Sequence, residues 1–240
     1  MAEAVADRLL LALAEGRPLG LATGRTMEPV YAALRARIAA LPAGQRQRLL
    51  AGWCSFNLDE YVGLAPQDPR SFAGVMAAAL ADPLQLPAAA LQLPNGCAAD
   101  PDAEARRYGA AVQAAGGIGL QLLGIGANGH VGFNEPPCGP EAPCRCLPLA
   151  AATRSQNAGA FGGEPAAVPP LAISLGLAEI LAADRLLLVV TGAAKAEILR
   201  RSLLEPPCPQ VPASWLQRHR QLEVLVDAAA AAELPERAVS

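Results

Sequence analysis

The 240 residues contain only two histidines. One of them, His130, lies in the run Gly124-Ile125-Gly126-Ala127-Asn128-Gly129-His130, and Glu135 follows shortly after. The apolar residues before it, Gly119–Leu123, read as a fully buried strand, so the imidazole stands just beyond a strand end. Imidazole titrates near neutrality and moves protons in either direction. A carboxylate within reach orients the ring and raises its basicity, which makes His130 and Glu135 candidates for a proton relay. A second pair of acids, Asp59 and Glu60, ends the apolar stretch Phe56-Asn57-Leu58. Carboxylates in that position are costly unless they face a cleft or accept hydrogen bonds. Asp59 there is either a base toward a carbon-bound or hydroxyl proton, or the cap of a following turn.

Two further segments carry polar groups suited to an anion. In Ala22-Thr23-Gly24-Arg25-Thr26 small residues and hydroxyls precede a helix, leaving backbone N–H groups free for a phosphate. The segment is neither a P-loop nor a GxGxxG fingerprint, and the alternative is an ordinary strand-to-helix turn with Thr26 as N-cap. In Thr191-Gly192-Ala193-Ala194-Lys195 the lysine opens a helix after the apolar run Arg185–Val190. It is either a phosphate contact or a solvated helix lysine.

These segments need a frame that brings them together. Helical patterning covers Ala4–Glu15, Glu28–Ala39, Ser71–Ala81, Ala103–Ala115, Ala194–Leu204 and Ala213–His219, with a further helix ending at Ala182. Strand patterning covers Leu19–Ala22, Trp53–Leu58, Gly119–Leu123, Ala172–Leu175, Arg185–Val190 and Leu222–Val226. Strand–helix alternation of this kind predicts an α/β fold, a doubly wound, mostly parallel sheet with helices on both faces, Rossmann-like. Ligands bind such sheets beyond the carboxyl ends of the strands, where all four polar segments fall. Pro136–Pro148 and Gly159–Pro170 read as long loops, and the alanine run after Asp227 as a fraying helix. Residues 1–240 show no repeat or linker and read as a single domain.

Composition bounds the function. Hydrophobic residues make up 52% and charged residues 17%, which describes an aliphatic core rather than a disordered chain. The formal net charge of -3 leaves no basic face for nucleic acid. No apolar run reaches membrane-spanning length, and the start lacks a signal peptide's basic region, so a cytoplasmic protein is expected. The low-charge surface suits a monomer or a homo-oligomer. Cys138, Cys144 and Cys146 crowd one loop, but zinc would need a fourth ligand such as Cys208, and no CxxC pair is present. They read as free thiols, with no metal site.

The strings ATGRTMEPVYAAL (22–34), FNLDEYVGL (56–64), LLGIGANGHVGFNEP (122–136), VVTGAAKAEIL (189–199) and VPASWLQRH (211–219) resemble, in order and spacing, the glucosamine-6-phosphate deaminases. The related 6-phosphogluconolactonases share the fold but not the FNEP stretch. The resemblance implies an isomerising deamination of an amino-sugar phosphate through an enol-type intermediate, without metal or organic cofactor. It places Asp59 as the base for the C1–C2 proton shifts and His130 as the ring-opening acid/base, supported by Asn128 and Glu135. It implies phosphate or substrate contacts from Thr23, Gly24, Arg25, Thr26, Glu60 and Lys195. The family also has an arginine after its TRxxN motif; here the motif is Thr153–Asn157 and that place holds Gly159, so Arg25 is a candidate replacement for the missing charge. Leu147 stands where allosterically regulated members carry a lysine, so activation by an amino sugar is not expected. Alternative readings are a deaminase or isomerase for another hexosamine phosphate, a lactonase, and a non-catalytic sugar-phosphate binding protein.

Overall fold

The computed structural model describes residues 1–235. Helix α1 (Ala2–Ala14) leads into β1 (Leu19–Leu21), α2 (Glu28–Ala39), α3 (Ala43–Ala51), β2 (Ser55–Asn57) and β3 (Asp59–Tyr61). Next come α4 (Phe72–Met76), a π-helical turn (Ala77–Ala81), α5 (Asp82–Leu84), β4 (Leu91–Gln92), α6 (Pro101–Ala114) and β5 (Leu120–Leu123). The second half runs β6 (Arg145–Pro148), α7 (Ala151–Asn157), β7 (Leu171–Ser174), α8 (Leu177–Leu181), β8 (Arg185–Val190), α9 (Ala196–Leu204) and β9 (Leu222–Val226).

Six strands form one parallel sheet in the order β4-β2-β1-β5-β8-β9. Buried on both faces, β5 and β8 need apolar residues throughout, and they read Leu-Gln-Leu-Leu and Arg-Leu-Leu-Leu-Val-Val. Arg185 lies at the end of β8, and the buried polar member, Gln121, fits because its register partner on β1 is Gly20, where any Cβ would overlap the glutamine side chain. Apolar residues one turn apart on α1 (Val5, Leu9, Leu13) and α2 (Val30, Leu34, Ile38) are buried, and these two helices pack against each other. Helix α6 starts where the Asp100 side chain accepts the N–H groups of Asp102 and Ala103, with Pro101 at its first position. Along the sheet, chain order reverses at β1, which has β2 on one side and β5 on the other. In sheets of this kind ligands bind where the order reverses, here beyond the carboxyl ends of β1 and β5.

The predicted parallel sheet is present, with one strand reassigned. Ala172–Leu175 belongs to β7, the centre of a separate antiparallel sheet, β3-β7-β6, whose register pairs Asp59 with Ser174 and Cys146 with Ile173. The supposed loop Pro136–Pro148 therefore ends in a strand. This ribbon covers a second apolar cluster that includes Tyr61, Phe133, Leu147, Phe161 and Val168. The segment 212–218 is a 3-10 helix, and residues 228–234 form turns rather than a helix. The rest of the tail, 236–240, lies outside the described residues. Among the described residues, no helix is long and apolar enough to cross a membrane.

Candidate active site

The loop after β5 is folded tightly on itself: Gly126 donates its N–H to the His130 carbonyl, and Gly129 donates to the Gly126 carbonyl. Gly129 has φ +85°, a left-handed conformation that glycine adopts without strain. Gly126 is required for space, because a Cβ there would overlap the His130 ring. The turn brings His130 Nδ1 within 2.7 Å of Asn128 Oδ1, and Asn128 Nδ2 donates to Glu135 Oε2 at 2.6 Å. Since the amide gives its N–H to the carboxylate, its oxygen must accept from the imidazole. His130 therefore carries a proton on Nδ1 and turns its Nε2 edge away from the amide. Glu135 Oε2 is also 3.5 Å from His130 Nδ1. Burial by itself would raise the Glu135 pKa, but His130, the Thr153 hydroxyl and Asn128 together hold it at about 2. The acid thus stays ionised as the end of an imidazole–amide–carboxylate chain.

Asp59 reaches this relay from the antiparallel sheet. Leu58 donates to Leu21 of β1, Leu175 donates to Leu58, and Ser174 Oγ accepts from Phe133 N–H, so β3 and β7 are bolted to the loop after His130. Asn134 Nδ2 completes the joint by donating to the Val131 and Leu175 carbonyls, both at 2.9 Å. At Gly132, with φ +56°, a Cβ would lie 3.5 Å from Asp59 Oδ2. Asp59 is 5% exposed and accepts no hydrogen bond from the described residues. Burial first, and then the neighbouring Glu60 charge, push its carboxyl up to about 8. It is not a turn cap. It is a desolvated carboxyl group whose ionised form is a stronger base than an ordinary carboxylate.

Glu60, expected from the resemblance to contact substrate, is engaged with the backbone in this structure. Adjacent strand residues face opposite sides, so Glu60 turns away from Asp59. Its oxygens accept the N–H groups of Tyr61, Phe72 and Ala73 at 2.7–2.9 Å, which fixes the start of α4. Burial raises its pKa and those three backbone donors oppose the rise.

On the far side of β5, the loops after β1 and β8 meet. Thr26 is not the N-cap of α2; that position is Met27, and no side chain caps the helix. Instead, Thr26 Oγ1 lies 3.2 Å from Thr191 Oγ1. Asp227, at the end of β9, accepts from Gly192 N–H at 3.0 Å and so shapes the second loop. Lys195 is half-buried beside Arg25; desolvation, then the Arg25 charge, lower its pKa. Two neighbouring cations of this kind are the electrostatic outline of an anion site. Thr23 and Gly24 lie in the same loop, Gly24 with φ +125°. Gly159 has open space around it, and Arg154 is committed to the Val168 and Ala166 carbonyls.

Sequence reasoning passed over Thr153, Asn157, Gly126 and Thr191 as individual contributors. The spacing of Thr153 and Asn157, one helical turn apart, was the available signal. Among the described residues no group of three or more His, Cys, Asp or Glu is placed to hold a metal, and all six cysteines are free thiols. Arg145 donates to Asn134 Oδ1 and the Pro143 carbonyl, and Leu147 is buried. Trp215 packs in the core and donates its indole N–H to the Cys138 carbonyl.

Comparison with known proteins gives a consistent result. The family model described as glucosamine-6-phosphate isomerases/6-phosphogluconolactonase matches residues 1–226. A glucosamine-6-phosphate deaminase of Rhodopirellula baltica is 41% identical over 220 residues, 92% of this chain and 85% of that protein. The Geobacillus enzyme of the same name is 38% identical over 239 residues, 98% and 92% of the two chains. A solved monomeric glucosamine-6-phosphate deaminase superposes with a TM-score of 0.88 at 35% identity, covering 97% of this chain and 95% of its own. A 6-phosphogluconolactonase from Leishmania guyanensis, at 19% identity and TM-score 0.73, covers 98% of this chain and 95% of its own and shares the fold.

Proposed function

The chain belongs to the glucosamine-6-phosphate isomerase/6-phosphogluconolactonase family, and from that membership and its site we propose that it converts glucosamine 6-phosphate and water to fructose 6-phosphate and ammonia. The observation that carries the proposal is the pairing of two separately tuned proton carriers across Gly132: an imidazole relay ending in an ionised Glu135, and a desolvated Asp59. Ring opening requires a proton at the ring oxygen and removal of one from the anomeric hydroxyl, which suits the free Nε2 edge of His130. Enolisation then requires a base at C2 that returns the proton to C1, which suits Asp59. The resulting imine at C2 takes up water and releases ammonia. The residues present supply these transfers without a metal or organic group.

The test is direct. The purified chain, given glucosamine 6-phosphate, should release ammonia and fructose 6-phosphate in equal amounts. Binding of sugar phosphate without ammonia release would favour a binding protein instead.

Thr23, Gly24, Arg25, Thr26 and Lys195 are assigned to the phosphate group, with Arg25 supplying the charge absent at Gly159. Each charge-assisted bond to a phosphate is worth about 2 kcal/mol when well shielded. Arg25 is exposed, so solvent screening discounts that value. Arg25→Ala is therefore expected to raise KM about tenfold, a loss of ~1.4 kcal/mol, with a smaller change in kcat. Lys195→Ala is expected to do more, because the ammonium is half-buried. Initial-rate kinetics check both, and an unchanged KM in Arg25→Ala would leave that side chain facing solvent.

A further inference from the structure

Helix α7 touches both halves of the acid/base set. Thr153 and Asn157 are one turn apart, so they share a face of the helix. Thr153 is 2% exposed and its hydroxyl stands beside the Glu135 carboxylate. Glu135 Oε1 is buried with no hydrogen-bond partner at bonding distance, while Oε2 is taken by Asn128. One turn on, Asn157 Nδ2 donates to the Tyr61 hydroxyl at 2.9 Å. Tyr61 ends the short strand β3 that begins at Asp59, and it is buried against Phe72, Phe133 and Phe161. Arg154, between the two, donates to the Val168 and Ala166 carbonyls and so ties the helix to the segment that returns to β7.

We propose that α7 is a brace that keeps the two proton carriers in register. Thr153 acts on one side by donating its hydroxyl to Glu135 Oε1, and Asn157 acts on the other by fixing Tyr61 and with it the strand that carries Asp59. Both are positioning residues. Neither acts on the reacting atoms; each acts through a residue that does. A buried carboxylate oxygen left without a donor is unfavourable, so the Thr153 hydroxyl has a defined partner. The titratable group facing Glu135 is His130, and its neutral donors are Asn128 and Thr153. Removing one donor therefore weakens the ionised carboxylate and, through Asn128, the orientation of the imidazole. The kinetic part of this inference rests on the deaminase reading.

The experiment compares Thr153→Val, Thr153→Ser and Asn157→Leu with the unsubstituted protein by two measurements. In steady-state kinetics, Thr153→Val should lose about tenfold in kcat with KM little changed, and Thr153→Ser should recover most of the loss. In the ligand-free protein, a carbon-detected NMR titration of the Glu135 carboxyl should show its midpoint moving upward in Thr153→Val and returning in Thr153→Ser. Asn157→Leu should lower kcat without moving that midpoint. An unmoved Glu135 midpoint in a folded Thr153→Val protein, or an equal loss in Thr153→Ser, would overturn the brace. If the unsubstituted protein releases no ammonia, the deaminase reading fails, and the NMR titration still decides the Thr153 contact.

Discussion

Asp59→Asn is expected to lower kcat by roughly 10²- to 10⁴-fold, the usual contribution of a positioned general base. The same substitution should make the protein more stable at neutral pH. Asp59 is buried without a hydrogen-bond donor, and its carboxyl is held at about 8 against an ordinary value of 3.8. A carboxyl whose pKa is raised by folding contributes its full stability below the unfolded value, where it is neutral in both states. That contribution is lost progressively as pH rises from about 4 to about 8, because the unfolded chain ionises and the folded chain does not. Asparagine has the same shape and no charge, so it escapes the loss. Urea unfolding of the two proteins should therefore give midpoints that diverge as pH rises through this window and level off above it. A gap that does not change with pH would mean that Asp59 ionises normally in the fold. Turnover unaffected by the substitution would remove Asp59 from the role of base. The unsubstituted enzyme should correspondingly gain kcat/KM as pH rises toward about 8, as the free carboxylate forms.

Gly126→Ala should be nearly as damaging to turnover as His130→Ala, at roughly 10²-fold or more, although glycine has no side chain to take part in proton transfer. The added Cβ would occupy the volume of the His130 ring, which must rotate away from Asn128 Oδ1. Gly126 does not need a left-handed backbone, so the chain can still fold and the injury falls on the imidazole. Combining the two substitutions should cost little beyond either one, because both remove the same group. Kinetics of the single and double variants, with thermal melts to confirm folding, decide the matter. Additive losses would place Gly126 in a separate role.

The sequence displayed the frame better than the joints. Buried parallel strands must be apolar on both faces, so Leu120–Leu123 and Arg185–Val190 stood out as continuous runs. The relay was legible for a similar reason, since a lone imidazole in a chain of 17% charged residues has few competitors. The antiparallel ribbon was hidden. Its strands are Asp-Glu-Tyr, Arg-Cys-Leu-Pro and Leu-Ala-Ile-Ser, two of which carry charges or proline that strand patterning penalises. Helix α3 escaped notice because it buries no residue and so imposes no apolar period. Asp59 and Glu60 were not separable by sequence, because two adjacent acids look alike in a string. Only the pleat, which sends Asp59 and Glu60 to opposite sides, and the distant N–H groups of Phe72 and Ala73 assign them different tasks.

The separation of the two sheets bears on how such a protein can change over evolutionary time. Loops at the end of the six-stranded sheet hold the cations suited to an anion, while the basic carboxylate hangs from the three-stranded ribbon. Each sheet has its own register, and they are joined through Leu58 and the Ser174–Phe133 contact rather than through a shared strand. Substitutions in the ribbon can therefore retune one proton carrier, Asp59, while the His130 relay keeps its place on the loop after β5 of the six-stranded sheet. The reverse change, in the loops that carry Arg25 and Lys195 with the ribbon left as it is, is equally open. A scaffold divided in this way can diversify one half at a time, each step retaining a working partner.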